Sequence, residues 1–162
     1  MDEDGQLTLS LHVNGRTHRV KARAHHTLLE VLRTQLKLFG VREGCGVGMC
    51  GACTVLLDGK PVSSCLLLAP LAQEKDILTI EGLQGASGEL HPVQQAYIDH
   101  TGFQCSYCTP GFILSTVALL SEHPDATEDQ AREYLTGNLC RCGSYVKILE
   151  SVMDARDRLR RP

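Results

Sequence analysis

Eight cysteines in a chain of 162 residues fall into two sets of four, and that division limits the possible folds more than any other feature. Cys45, Cys50, Cys53 and Cys65 form C-x4-C-x2-C with a distant fourth member. Cys105, Cys108, Cys140 and Cys142 form C-x2-C and, after a long gap, C-x-C. In a secreted chain an even count would suggest disulfides. Here Met1-Asp2-Glu3-Asp4-Gly5 is acidic with no apolar h-region, and no twin-arginine stretch precedes the first expected strand. The longest mostly apolar runs, Leu66 to Ala72 and Phe112 to Leu120, are too short to span a membrane. The expectation is a soluble cytoplasmic protein with no membrane partner, in which clustered cysteines bind metal or do redox work.

The first set has the plant-type ferredoxin spacing for a two-iron, two-sulfur cluster. Gly44, Gly46, Gly48 and Gly51 surround three of its cysteines. Glycine admits the positive φ needed to wrap backbone around an inorganic core and lets amide N–H groups point at sulfur. Two ferric ions, two sulfides and four thiolates sum to a dianion, so inward donors stabilise it and tune its potential. Structural zinc more often shows paired C-x2-C knuckles, which this loop lacks.

The second set is less specific, and on spacing alone it could hold either a cluster or zinc. Its C-x-C pair cannot close a relaxed disulfide with itself. Thr109-Pro110 reads as an N-cap followed by proline at the first helical position. That start places a positive dipole end beside Cys105 and Cys108, which favours thiolates and an anionic cluster.

Around these sets the chain divides in two. Leu7, Leu9, Leu11 and Val13 alternate with polar residues, and Asn14-Gly15 predicts a hairpin into Thr17 to Ala22. Thr27 to Glu30 fits a capping box for a helix fading near Gly40. Thr54 to Leu57 and Pro61 to Leu66 flank Asp58-Gly59, and Ile77 to Ile80 supplies a last strand. This is a β-grasp pattern. The glycine-rich stretch from Gly82 to Glu89 marks a boundary, giving expected domains 1–82 and 83–162. Beyond it the chain reads as helical: Pro92 to His100, a central buried helix from Pro110, a third opened by the Thr127 to Gln130 capping box and ending at Gly137, and an amphipathic helix from Val146. The fold class is α+β, a β-grasp ferredoxin-like domain followed by an all-α domain of mainly four helices. Each half is about the size at which a core alone gives only a few kcal/mol, so metal centres would help both to fold.

Composition narrows the function further. The net charge of −3 provides no basic field for nucleic acid. Aromatics are only 4% and Trp is absent, which argues against a base-stacking surface. No G-x-G-x-x-G, P-loop, nucleophile elbow or H-E-x-x-H is present, so the chain has no flavin- or nucleotide-binding fingerprint of its own. The seven histidines show no paired metal spacing, and His91-Pro92 reads as a helix start. Arg156, Arg158, Arg160 and Arg161 read as a solvated, frayed end.

Gln104-Cys105-Ser106-Tyr107-Cys108-Thr109-Pro110-Gly111 resembles the Q-C-G-[FY]-C-T-P-G motif of the xanthine oxidase (molybdenum hydroxylase) family. Gly137-Asn138-Leu139-Cys140-Arg141-Cys142 resembles its G-N-[LI]-C-R-C motif, and Glu43 to Val55 its ferredoxin-like loop. The resemblance covers almost the whole chain in the family's order and spacing. Ser106 stands where glycine is usual, and Gly143-Ser144 where many relatives have Thr-Gly. The resemblance implies an electron-transfer subunit like those of carbon monoxide dehydrogenase and of aldehyde and N-heterocycle oxidoreductases. It implies two 2Fe-2S clusters, a large catalytic subunit carrying molybdenum and molybdopterin, and an FAD-binding medium subunit. It also puts Gln104 and Cys142 near the molybdopterin; from the residues alone, Gln104 reads equally well as a solvated or capping amide. A free-standing two-cluster ferredoxin and a zinc-stabilised regulatory module are the alternatives.

Overall fold

The alternating leucines become β1 (Gln6–Val13), which turns through Asn14 and Gly15, both at positive φ (51° and 73°), into β2 (Arg16–Arg23). That pair of left-handed residues is what a two-residue hairpin requires. The computed structural model describes residues 5–85 and 87–161. Thr27 caps α1 (Leu28–Thr34): its hydroxyl accepts the Glu30 N–H, and the Glu30 carboxylate accepts the Thr27 N–H. β3 (Thr54–Leu57) and β4 (Lys60–Ser63) form the second hairpin, and β5 (Asp76–Leu78) completes the sheet. The strand order is β2-β1-β5-β3-β4, with β1 and β5 parallel and the other neighbours antiparallel. This is the expected β-grasp. Leu28, Leu29, Val31 and Leu32 of α1 pack on Leu9, Leu11, Val13, Val20, Val55 and Ile77 of the sheet.

Four helices follow: α2 (Pro92–Asp99), α3 (Thr109–Glu122), α4 (Glu128–Tyr134) and α5 (Tyr145–Arg160). α3 buries residues on nearly every side, as its apolar composition predicts. Val93, Ala96 and Tyr97 of α2 share a core with α3, Ala131 of α4, and Ile148, Leu149, Val152 and Ala155 of α5. Leu114 and Ala118 of α3 also pack on Leu56 of β3, so the central helix serves both halves.

Several boundaries differ from expectation for local reasons. α1 ends at Thr34 rather than near Gly40, because Lys37 takes a left-handed φ of 58°. β4 stops at Ser63, and Cys65 lies in the turn beyond it. Ile80 starts a 3₁₀ turn, Ile80–Gly82, instead of ending a strand. The N-cap of α3 is Cys108, whose carbonyl already accepts the Phe112 N–H, so Thr109 is the first helical residue and Pro110 the second. Three of the four C-terminal arginines are not frayed: α5 runs to Arg160, with Arg156 paired to Asp157, Arg158 to Asp99 and Asp154, and Arg160 to Asp125, while Arg161 lies exposed beyond the helix.

Candidate metal centres

The first site is a loop hung between α1 and β3. The Cys45 sulfur accepts the Val47 and Met49 N–H groups at 3.4 and 3.3 Å. The Val47 amide first, aided by those of Met49 and Cys50, pulls its thiol down to about 7. Cys50 lies within hydrogen-bond reach of Cys45, and Cys53 within reach of Cys65. Burial first, and then the neighbouring Cys53, push the Cys65 thiol up to about 11; the Cys45 charge also reaches it. The turn carrying Cys65 is tied to Cys53 by the Ser64 hydroxyl, which donates to the Cys53 carbonyl at 2.7 Å. The loop has no room for side chains at its tightest points. A Cβ on Gly44 would stand 2.7 Å from the Cys50 sulfur. One on Gly48, at φ +76°, would stand 2.3 Å from Leu66.

The second site is built at the entrance to α3. Cys105 faces Cys142, and Cys108 faces Cys140. The Tyr107 amide, followed by Cys142, lowers the Cys105 thiol. Burial first and Cys140 second raise the Cys108 thiol to about 12. At Cys140 burial acts upward, but hydrogen bonds led by the Ser144 amide prevail and its thiol is lowered. The buried hydroxyl of Thr109, one residue beyond Cys108, has no hydrogen-bond partner among the described residues, and that of Ser144, four beyond Cys140, has only the Cys140 sulfur beside it.

Among the described residues no set of three or more His, Cys, Asp or Glu is gathered tightly enough for a single metal ion. Each cysteine set instead offers two facing pairs of thiols. Such pairs fit a two-iron core, with two thiolates for each iron. The amide-lined Cys45 sulfur and the glycine cradle fit its negative charge.

The two sites meet. The Leu139 N–H donates to the Cys50 carbonyl at 3.0 Å, so a residue adjoining Cys140 is bonded directly to a residue of the first set. Beside it the buried Asn138 amide donates to the Gly51 carbonyl at 3.1 Å and accepts from the Ser115 hydroxyl at 2.8 Å. A Cβ on Gly111 would stand 2.2 Å from the Gly51 carbonyl oxygen. Glycine at position 111 is therefore a condition of the close approach. A cleft of about 450 Å³ lies between the sites, lined by Cys45, Cys50, Cys105, Cys108, Cys140 and Arg141 among others. Arg141 is exposed there, and among the described residues it forms no ion pair.

Gln104 and Cys142, paired only by resemblance in the sequence, are neighbours: the Gln104 amide donates to the Cys142 carbonyl at 3.4 Å. Sequence reasoning missed Arg42, Tyr107 and Asn138. Asn138 lies inside a quoted motif, and its place directly before Leu139-Cys140 was the available signal. Arg42 had none, since its partner is 64 residues away.

A β-grasp half and a helical half, each closing on four thiols and joined through the loops that carry them, define a class of two-cluster iron–sulfur proteins. Residues 11–79 match the family model described as a 2Fe-2S iron-sulfur cluster binding domain, and residues 79–153 the one described as a 2Fe-2S binding domain. The chain is 45% identical to the aldehyde oxidoreductase iron-sulfur-binding subunit of Escherichia coli K12, over 92% of this chain and 71% of that one. It is 45% identical to a nicotinate dehydrogenase subunit of Pseudomonas putida, over 97% and 99%. Quinoline 2-oxidoreductase from Pseudomonas putida 86 superposes with a TM-score of 0.90 at 34% identity, covering 96% of this chain and 97% of that chain. The aldehyde oxidoreductase of Desulfovibrio desulfuricans superposes at 0.89 with 42% identity; the match covers 94% of this chain but only 17% of that much longer one. The chain belongs to the iron–sulfur subunits of the molybdenum hydroxylase family.

Proposed function

We propose that this chain holds one 2Fe-2S cluster on Cys45, Cys50, Cys53 and Cys65 and another on Cys105, Cys108, Cys140 and Cys142. The chain is an electron-transfer subunit of a molybdenum-containing oxidoreductase, and substrate chemistry takes place on a partner. When bound, each cluster accepts or gives one electron at a time. The chain's own part is to hold the sites apart from water on one side, donate amides to sulfur, and link the sites through the Leu139–Cys50 hydrogen bond. That bond is the observation that carries the reading, since it joins the two sets by one backbone contact.

The finer assignments belong to the same proposal. The division falls at 1–82 and 83–162, supported by two separate cores and by family models that meet at residue 79. The large partner carries molybdopterin, which lies beside Gln104 and Cys142, and a medium FAD-binding subunit completes a heterotrimer. Exposed Leu139, Tyr145 and Val146 near the second site, and exposed Val47, Met49 and Leu66 near the first, suit two separate docking faces. Electrons enter at the helical site and leave at the ferredoxin-like one. Among the described residues no helix is long and apolar enough to cross a membrane. A cytoplasmic location fits eight cysteines without a disulfide.

The test is purification of the native complex followed by anaerobic stopped-flow reduction with substrate. The expected result is co-purification with a large molybdopterin-binding chain. Gln104→Ala should slow reduction of the second cluster or weaken cofactor retention, as expected for losing a polar contact of about 1–3 kcal/mol. Full activity without any molybdenum partner would overturn the assignment. Unchanged kinetics and full molybdenum content in Gln104→Ala would remove that residue from the path.

A further inference from the structure

We propose that Arg42 and Tyr107 form a reciprocal strap that fixes the two cysteine loops against each other and places one permanent positive charge between them. The proposal rests on the two-cluster reading. Arg42 precedes the first loop, and its own N–H is pinned to the Ala52 carbonyl at 3.2 Å. Its guanidinium crosses to the second loop and donates to the Ser106 carbonyl. Tyr107 returns the contact: its hydroxyl donates to the Glu43 carbonyl at 2.5 Å, in the residue just after Arg42. The guanidinium also lies over the Tyr107 ring, 5.4 Å from its centre. Each loop therefore supplies one donor and one backbone acceptor, and the two donors stack on each other.

The strap reaches both sets of thiols. Glu43 is two residues from Cys45, while Ser106 and Tyr107 lie between Cys105 and Cys108. Ser106 sits at φ +61°, a conformation an L residue rarely adopts, and the guanidinium on its carbonyl holds it there. That geometry presents the Tyr107 N–H to the Cys105 sulfur. Among the described residues Arg42 makes no ion pair, so no carboxylate neutralises its charge. A half-buried cation beside two anionic centres stabilises the extra electron on either one. A planar fork does this while also fixing direction, which a lysine ammonium does not.

The strap is a positioning element, and potentials and magnetic coupling report it where stability alone does not. The experiment is redox titration and low-temperature EPR of the cluster-loaded wild type, Arg42→Gln, Arg42→Lys and Tyr107→Phe. Arg42→Gln should lower both midpoint potentials, by about tenfold in each one-electron equilibrium or 59 mV. It should also alter the spin–spin interaction between the reduced clusters. Arg42→Lys should recover the potentials but not the interaction. Tyr107→Phe should alter the interaction and leave the potentials near wild type. Wild-type potentials and interaction in fully loaded Arg42→Gln, with only melting changed, would reduce the strap to packing and overturn the proposal. Should Arg42→Gln not assemble, a wild-type interaction in both other variants overturns it equally. A wild type lacking two EPR signals would instead refute the two-cluster reading beneath it.

Discussion

In the first cysteine site the backbone does the wrapping, whereas in the second a helix does. Gly46, Gly48 and Gly51 all take positive φ around the first set, and the Cys45 sulfur sits on the surface receiving two amides. The second set has no such run. Its thiols gather where α3 begins, and Ser106 and Gly143 supply the left-handed turns. Each site still holds an exposed thiol lowered chiefly by a backbone amide, Cys45 or Cys105, and one raised by burial, Cys65 or Cys108; the second site adds a further lowered thiol, Cys140. A solvated face and a buried face are thus built twice by different means. The lesson is that the electrostatic environment of the sulfurs, more than the local fold, is what the two halves share.

The strongest way to break this comparison is to remove one ligand from each side. Cys50→Ser should abolish only the first cluster and Cys108→Ser only the second, each halving the iron content. Loss of both clusters from either change, in a chain that stays folded, would show that the sites are not independent. Gly51→Ala attacks the junction instead. Its Cβ would stand 2.4 Å from the Asn138 amide nitrogen and 2.5 Å from the Gly137 carbonyl, at φ +68°. Left-handed strain and overpacking together should cost about 2–5 kcal/mol, seen as a lower melting temperature for the whole chain.

Much of this architecture was legible in the sequence because its signals are local. Thr27 with Glu30 and Thr127 with Gln130 cap helices through bonds three residues long. Asn14-Gly15 and Asp58-Gly59 turn hairpins by their own φ preferences. The cysteine spacings grouped the thiols into two sets for the same reason, and the structure brings the members of each set into facing pairs. The parts that were missed depend on distant partners. Asn138 meets Gly51 across 87 residues, and Arg42 meets Ser106 across 64. The reading of Arg158 as a loose end failed in part likewise, since Asp99 lies 59 residues away, although its other partner, Asp154, is only one helical turn back. Thr109 was misplaced by one position because the Cys108 carbonyl, rather than a side chain, opens the helix.

Smaller substitutions sharpen the contrast. Ser106→Gly should relieve the left-handed strain at the second site, raising stability by up to about 1 kcal/mol after glycine's greater unfolded entropy is set against it. A fall in melting temperature would mean that the Ser106 side chain contributes more than its backbone suggests. The smallest expected effect is at the far end of the helical half. Arg158, then Gln95, holds the Asp99 carboxyl below its usual 3.8. A lowered carboxylate stabilises the fold above the unfolded value and loses that contribution as pH falls through the folded one. Asp99→Asn should therefore melt slightly earlier than wild type at neutral pH, and the difference should vanish in acid below the usual aspartate range. An equal difference at all pH values would remove the ion pair from the explanation.

Two different local folds are proposed to hold two clusters of one kind. Iron, acid-labile sulfide and zinc analysis of the purified chain, read together with EPR after full reduction, tests this most directly. The predicted result is iron and sulfide in equal amounts, no zinc, and two distinguishable signals of equal spin, of which Cys108→Ser retains one. A single signal with one zinc per chain would contradict it, leaving the helical half a zinc module beside a lone ferredoxin site.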